Sequence, residues 1–258
     1  MEAISVAAPQ WRISTCRTAA ARAALAAGAD VLHLDFGGAH RGRMLDHPAE
    51  LAAAWAITQD LPVPVLAVNH VNDIGLALDS GRANPAALDV LWRALDCAHR
   101  LGAEVLHVPG FRRSLPKDDA VRSGTAEVLR MLGDWVSRMG MVVAYESPLS
   151  GRDALTVAGD VGNPALRLVL DTGNLLDAGE SPEDFADLVQ AAGLLLPCLH
   201  IKEPQEATAL RRGTVLDDLP ALLRRTRASS LLVENDYRQQ PALLREDIRR
   251  ARAAAGSR

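Results

Sequence analysis

Four side chains that can bind metal ions each follow a short apolar run in the second half of the chain. They are Glu146, Asp171, His200 and Glu234. Three carboxylates brought together away from water would repel one another unless a cation lay between them. Mixed oxygen and nitrogen ligands suit Mn²⁺, Mg²⁺, Co²⁺ or Zn²⁺ without selecting one. The four residues therefore predict a site for one divalent metal ion, with ordinary ion pairs to arginines as the alternative.

Two of these residues, Glu146 and Glu234, could also transfer protons at a carbon atom. Moving a carbonyl, or inverting the centre beside it, begins with removal of a carbon-bound proton. A base on one face and an acid on the other can do this through an enediolate. A metal ion bound to the carbonyl and its neighbouring hydroxyl would stabilise the negative charge that develops.

Further polar residues lie at or near the ends of these and of earlier apolar runs. His70 and His107 end the third and fourth runs, where hydrogen bonding to neighbouring side chains is the alternative role. Lys202 is one of only two lysines, and it lies two residues after His200, on the same face of a strand. We expect Lys202 to polarise or hold the substrate. Asn174, which follows Asp171, can hydrogen-bond a hydroxyl.

Arginine pairs and aromatic residues in loops after strands are weaker candidates. The pairs Arg112-Arg113 and Arg211-Arg212 could bind a phosphate or carboxylate through bidentate contacts, or could be solvated. Trp11 follows the first run and could form an apolar wall for a sugar ring, or pack at the base of its loop. The sequence leaves open whether the substrate is phosphorylated.

The elements that must position these residues are eight apolar runs, each followed by a stretch of helical periodicity. The predicted strands are 4–8, 31–36, 63–69, 105–108, 142–146, 168–171, 198–201 and 231–234. The predicted helices are 17–27, 48–58, 85–101, 118–139, 152–159, 182–192, 217–226 and 241–255. Eight such units in 258 residues predict an α/β fold, a single (β/α)8 TIM barrel spanning 1–258, whose active site lies at the carboxyl ends of its strands.

The sequence motifs at the ends of the last four predicted strands resemble those of one known superfamily. The matching segments are Tyr145-Glu146-Ser147-Pro148, Leu170-Asp171-Thr172-Gly173-Asn174, Leu199-His200-Ile201-Lys202-Glu203 and Val233-Glu234-Asn235. They resemble the xylose isomerase-like TIM-barrel superfamily of sugar phosphate isomerases and epimerases, which also includes family 2 AP endonucleases. The resemblance implies that Glu146, Asp171, His200 and Glu234 hold one divalent metal and that the two glutamates shuttle protons.

The resemblance further implies a sugar, cyclitol or keto-polyol isomerase or epimerase whose pocket is lined by His70 and His107. Homodimers or homotetramers are common among such proteins. A dehydratase of the inosose or 3-dehydroshikimate type is the alternative on the same scaffold. An AP endonuclease is less favoured, because Asn174 stands where many relatives carry a histidine and asparagine is a poor zinc ligand. A non-catalytic binding barrel would not need a base on each face.

Composition and charge exclude several other classes. The net charge is −4, which argues against a broad electrostatic contact with nucleic acid. Three isolated cysteines and the absence of a basic-then-apolar leader predict a cytoplasmic protein. No apolar run reaches the roughly 18 residues needed to span a bilayer. We therefore expect a small-molecule substrate, with neither nucleic acid nor membrane as a partner.

Overall fold

Eight parallel strands alternate with helices in the computed structural model, which describes residues 4–204, 209–211 and 214–256. The strands are β1 Ser5–Pro9, β2 Val31–Asp35, β3 Val65–Ala67, β4 Val105–Pro109, β5 Val142–Glu146, β6 Leu166–Leu168, β7 Cys198–Ile201 and β8 Ser230–Val233. Every neighbouring pair in the order β6-β5-β4-β3-β2-β1-β8-β7 is parallel. The expected α/β class is therefore confirmed.

The ring is completed between β6 and β7 by isolated bridges instead of a regular ladder. Leu168 pairs with Leu195, and Asp171 pairs with His200. The amide of His200 donates a 2.9 Å hydrogen bond to the carbonyl of Leu170. These contacts join the two ends of the strand order, so the sheet has the closed arrangement of a (β/α)8 barrel.

Ten α-helices lie between and after the strands within the described residues. They are α1 Arg17–Ala27, α2 Pro48–Thr58, α3 Val71–Ile74, α4 Pro85–Leu101, α5 Asp119–Ser137, α6 Gly151–Val161, α7 Thr172–Asp177, α8 Pro182–Ala191, α9 Val215–Thr226 and α10 Ala242–Ala255. Eight of them match predicted helices. The short α3 and α7 are additions to the predicted set, and they follow β3 and β6 at the carboxyl end of the barrel. None of the helices in the described ranges is long and apolar enough to cross a membrane.

Two separate apolar layers hold the barrel together. The larger one lies between the strands and the surrounding helices, and it includes Leu34, Leu66 and Leu106. The smaller one fills the interior of the barrel and includes Ala7, Ala144, Val169, Leu196, Cys198 and Leu232. Because strands alternate their side chains between these layers, the predicted apolar runs bury both faces.

The inward-facing side chains change from apolar to ionisable along each strand. On β2 the interior face carries Val31, then His33 and Asp35; on β5 it carries Val142, then Ala144 and Glu146. The same step of two residues leads from Cys198 to His200 and from Leu232 to Glu234. The interior of the barrel is therefore apolar along most of its length and ionisable at the carboxyl ends of the strands.

The strand boundaries differ from prediction most clearly at β6. We expected 168–171, whereas the regular ladder ends at Leu168. Asp171 instead caps α7, because its Oδ1 accepts a 2.7 Å hydrogen bond from the amide of Asn174. The residue therefore leaves the ladder in order to begin a helix.

Candidate metal centre and substrate cavity

Four buried side chains converge at the carboxyl end of the barrel. They are Glu146, Asp171, His200 and Glu234, each at most 5% exposed. One nitrogen or oxygen atom from each lies within 4.8 Å of the others. The predicted ligand set is thus brought to one point by β5, the segment after β6, β7 and the end of β8.

Three atoms of this group have no hydrogen-bond partner among the described residues. They are Oδ2 of Asp171, Nδ1 of His200 and Oε2 of Glu234. Nδ1 of His200 lies 3.3 Å from Oε2 of Glu146 and 3.2 Å from Oε2 of Glu234, but the angles do not suit hydrogen bonds. Buried polar atoms are rarely left unsatisfied. A divalent cation among them would satisfy all three, so the donor set fits a metal ion.

The pKa values show the same need for positive charge. Burial, followed by repulsion from Glu146 and Glu234, raises the pKa of Asp171 to about 7, although Lys202 opposes the shift. Burial alone would lower the pKa of His200, but the two glutamates raise it well above its usual value. The carboxylates thus attract a proton to the imidazole, at the place where a cation would bind.

Glu146 is oriented by two neighbours that contact different oxygens. Nε2 of His107 lies 2.7 Å from Oε2, and Nδ2 of Asn174 donates to Oε1 at 2.6 Å. Burial would raise the pKa of Glu146, but the neighbouring imidazoles of His107 and His200 lower it to about 2. Glu146 is therefore a carboxylate at neutral pH.

Glu234 is held by residues that follow β1. Nε1 of Trp11 donates to its Oε1 at 3.0 Å, and Nε of Arg12 lies 3.7 Å from the same oxygen. Burial would raise the pKa of Glu234, but His200 and Lys202 hold it well below its usual range. The indole of Trp11 also stacks on His107, with 6.4 Å between ring centroids. Trp11 thus contacts Glu234 directly and contacts His107, the neighbour of Glu146.

The segment after β6 explains why Asp171, Thr172, Gly173 and Asn174 occur in this order. Oγ1 of Thr172 donates to the carbonyl of Lys202 at 2.9 Å and accepts from its amide at 3.1 Å. A Cβ on Gly173 would lie 2.5 Å from Cγ of Lys202. Glycine is therefore required for Lys202 to reach the site, where Nζ lies 3.5 Å from Oδ2 of Asp171.

A cavity of about 500 Å³ opens above these residues. It is lined by four residues predicted to bind substrate, Trp11, His107, Asn174 and Lys202, together with both glutamates. The predicted His70 is not among the lining residues. Its Nδ1 lies instead 3.3 Å from Oδ2 of Asp73, which matches the alternative role given to it. Arg212 lies outside the described residues.

Sequence reasoning missed several residues of this region. His33 was not a candidate, yet it is buried, its Nδ1 lacks a hydrogen-bond partner among the described residues, and its ring centroid is 6.3 Å from that of His200. Its position two residues before Asp35 on one strand was the available signal. Arg12 and Arg41 also line the cavity. Arginines are so numerous that nothing in the sequence singled these two out.

Comparison with known proteins agrees with this architecture. Residues 21–254 match a family model described as xylose isomerase-like TIM barrel. The chain is 36% identical over 257 residues to a 2-epi-5-epi-valiolone 7-phosphate 2-epimerase from an Actinoplanes species, covering 95% of this chain and 93% of that protein.

Two solved structures show the same fold at low identity. A xylose isomerase-like TIM barrel protein from Mycobacterium smegmatis, in complex with magnesium, has a TM-score of 0.74 and 16% identity, covering 100% of this chain and 99% of that one. A D-allulose 3-epimerase from a Methylomonas species, in complex with D-allulose, has a TM-score of 0.72 and 16% identity, covering 96% of each chain.

Proposed function

This chain belongs to the xylose isomerase-like TIM-barrel family, and on that premise we propose that it is a metal-dependent epimerase. It inverts a carbon centre beside the ketone of a small polyol, such as a keto-sugar or cyclitol. The observation that carries the proposal is the convergence of three ligand atoms, from Asp171, His200 and Glu234, that have no hydrogen-bond partner among the described residues and lie beside the carboxylate of Glu146. The 36% identical relative, itself an epimerase by name, supports inversion over other reactions of such a site.

One divalent ion, Mn²⁺ or one of Mg²⁺, Co²⁺ and Zn²⁺, would be held by Glu146, Asp171, His200 and Glu234. When bound, it would polarise the substrate ketone and lower the free energy of the negative charge formed beside it. The three carboxylates and their shifted pKa values support this assignment.

Glu146 and Glu234 are the proposed acid and base. Inversion requires that one group remove the proton from one face of the carbon while the other returns a proton to the opposite face. Each glutamate has one oxygen held by a neutral donor, Asn174 for Glu146 and Trp11 for Glu234. These donors fix the orientation of each carboxylate. The two glutamates exchange roles between the forward and reverse directions.

The cavity wall supplies the remaining contacts. Lys202 would donate to a hydroxyl or carbonyl oxygen of the substrate, since its ammonium group is nearly buried beside Asp171. Asn174 and His107 would bind hydroxyl groups while they hold Glu146. Trp11 would cover the apolar face of a ring. Contacts of this kind suit a small polyol and not a nucleic acid.

The protein is proposed to be cytoplasmic. The free thiols of all three cysteines support this location.

The test is isotopic. The Mn²⁺-loaded protein is incubated in D₂O with 2-epi-5-epi-valiolone 7-phosphate and with a panel of ketoses, and the products are analysed by NMR and mass spectrometry. We expect an epimer that carries one deuterium at the inverted carbon. A product lighter by one water would identify the dehydratase alternative. No exchange with any ketone would contradict the proposal.

A further inference from the structure

Two arginines converge on one carboxylate at a wall of the substrate cavity. Nε of Arg41 lies 3.1 Å from Oδ2 of Asp73, and Nη2 of Arg112 lies 2.7 Å from Oδ1. Both arginines line the cavity that contains the two glutamates. The side chain of Arg41 is 18% exposed and that of Asp73 is 17% exposed. Arg41 and Asp73 are therefore built into the wall, and Arg112, whose side chain is 54% exposed, joins them at the surface of the cavity. We call Arg41 and Arg112 around Asp73 the arginine cluster.

The charge balance of the arginine cluster differs from that of the other cations in the cavity. Lys202 faces Asp171 at 3.5 Å, and Arg12 faces Glu234 at 3.7 Å. Arg238 donates to Asp236 at 2.8 Å. Each of these three cations has its own carboxylate. Arg41 and Arg112 share one, and Nδ1 of His70 also lies 3.3 Å from it. Two guanidinium groups thus share the one carboxylate that pairs with them at this wall.

The backbone around the cluster is strained in two places. Ala39, with φ of 42°, and Arg112, with φ of 49°, are two of the three non-glycine residues with positive φ in the described part of the chain. They belong to the short 3₁₀ turns that carry the two arginines, Ala39–Arg41 and Arg112–Ser114. Strain of this kind persists where the surrounding structure enforces it, and it concentrates at binding sites.

We propose that the arginine cluster binds a phosphate monoester carried by the substrate, an inference that rests on the epimerase function proposed above. Two guanidinium groups approaching from different elements suit a tetrahedral group with three terminal oxygens, whereas a carboxylate is satisfied by one arginine fork. A phosphate monoester carries a charge of roughly −1.5 to −2 at neutral pH. Asp73 positions both arginines, and the phosphate supplies the negative charge that one carboxylate leaves uncompensated.

The test compares Arg112→Gln and Arg41→Gln with the unchanged protein. Arg113→Gln is the matched control, because Arg113 is the next residue but does not line this cavity. Binding of inorganic phosphate is measured by calorimetry on the metal-loaded protein. The kcat/KM values for 2-epi-5-epi-valiolone 7-phosphate and for its dephosphorylated form are measured in parallel.

We expect phosphate affinity to fall at least about 10-fold in Arg112→Gln and in Arg41→Gln, and to be unchanged in Arg113→Gln. The preference for the phosphorylated ketone over the dephosphorylated one should fall by a similar factor. Equal preference in the variants and the unchanged protein would overturn the phosphate subsite while the epimerase function stands. Phosphate binding that depends on both arginines, without turnover of either ketone, would support the subsite and count against the epimerase function.

Discussion

Trp11 and Glu234 are joined by a 3.0 Å hydrogen bond although they are 223 residues apart in the chain. The bond runs from the indole of the turn after β1 to the carboxylate at the end of β8, two strands that are neighbours in the barrel. The same indole stacks on His107, which in turn contacts Glu146. One aromatic side chain thus contacts one of the proposed proton-transfer groups directly and the other through His107.

Replacing Trp11 by Phe should lower kcat/KM about 10-fold while leaving metal binding intact. An aromatic ring that can stack on His107 remains, but the carboxylate of Glu234 loses the hydrogen bond from the indole. A hydrogen bond to a charged group is worth about 1.5 kcal/mol. Steady-state kinetics and metal titration would measure the two effects. Trp92→Phe is the control, because Trp92 is exposed on α4. An unchanged kcat/KM in Trp11→Phe would show that this hydrogen bond does not orient Glu234 for catalysis.

Replacing either Glu146 or Glu234 by Gln should lower kcat by about 10² to 10⁴-fold, the usual contribution of a positioned acid or base. Glutamine preserves the size of the side chain but cannot accept or return the proton. Glu104→Gln, an exposed glutamate before β4, should retain full activity. Circular dichroism would confirm that all three variants are folded. Full activity in either active-site variant would exclude the two-glutamate mechanism.

The metal centre should hold about one divalent ion per chain, and His200→Ala should lose it. In the unchanged protein, adding Mn²⁺ at about 100 times its Kd should stabilise the fold by about 2.7 kcal/mol. Elemental analysis and thermal unfolding with and without a chelator would test both statements. His99→Ala, on the exposed end of α4, should bind metal normally. Three zinc ions per chain would instead support the nuclease alternative.

Arg227→Gly should stabilise the protein by up to about 1 kcal/mol. Arg227 is exposed and ends α9 with φ of 52°, a left-handed conformation that glycine adopts without a steric penalty. Arg224→Gly is the matched control, since it places glycine inside the same helix and should destabilise by about 1 kcal/mol. Denaturant unfolding would measure the difference. Equal destabilisation in both variants would show that the left-handed cap carries no strain.

One thiol per chain should react rapidly with a thiol reagent at pH 8, and three should react after unfolding. Cys16 is exposed, whereas Cys97 and Cys198 are buried. Burial, together with the charge of Asp46, raises the pKa of Cys97 to about 11, so the reactive thiolate is scarce at that pH. Cys16→Ser should abolish the rapid phase. A rapid phase that survives this change would show that the barrel opens readily.

The barrel could be predicted from the sequence because its strands and helices are each encoded by a short local pattern, and that pattern repeats eight times. Each predicted strand is an apolar run bounded by helical periodicity, and β5 and β7 begin and end where expected, at Val142–Glu146 and Cys198–Ile201. The convergence of Glu146, Asp171, His200 and Glu234 could be predicted for the same reason. A barrel brings all carboxyl ends of its strands to one face, so four residues at or just after strand ends meet there.

The residues that the sequence did not reveal are those whose role depends on contacts between distant segments. His33 reads as an ordinary strand residue until β7 places His200 beside it. Arg41 is one of many arginines, and only the fold shows that it shares Asp73 with Arg112. The reverse holds for His70, which ends its predicted strand but contacts Asp73 instead of lining the cavity.

The bridges that close the barrel have a consequence for how long the folded protein survives. β6 and β7 meet through two isolated bridges, and one of them joins Asp171 to His200. An ion held by both side chains would therefore link β6 and β7, the neighbouring strands that are joined by isolated bridges instead of a regular ladder. Opening the ring there would require the ion to leave first. The lifetime of the native barrel before unfolding would then increase with metal occupancy. The hydrogen exchange of the His200 amide would become slower.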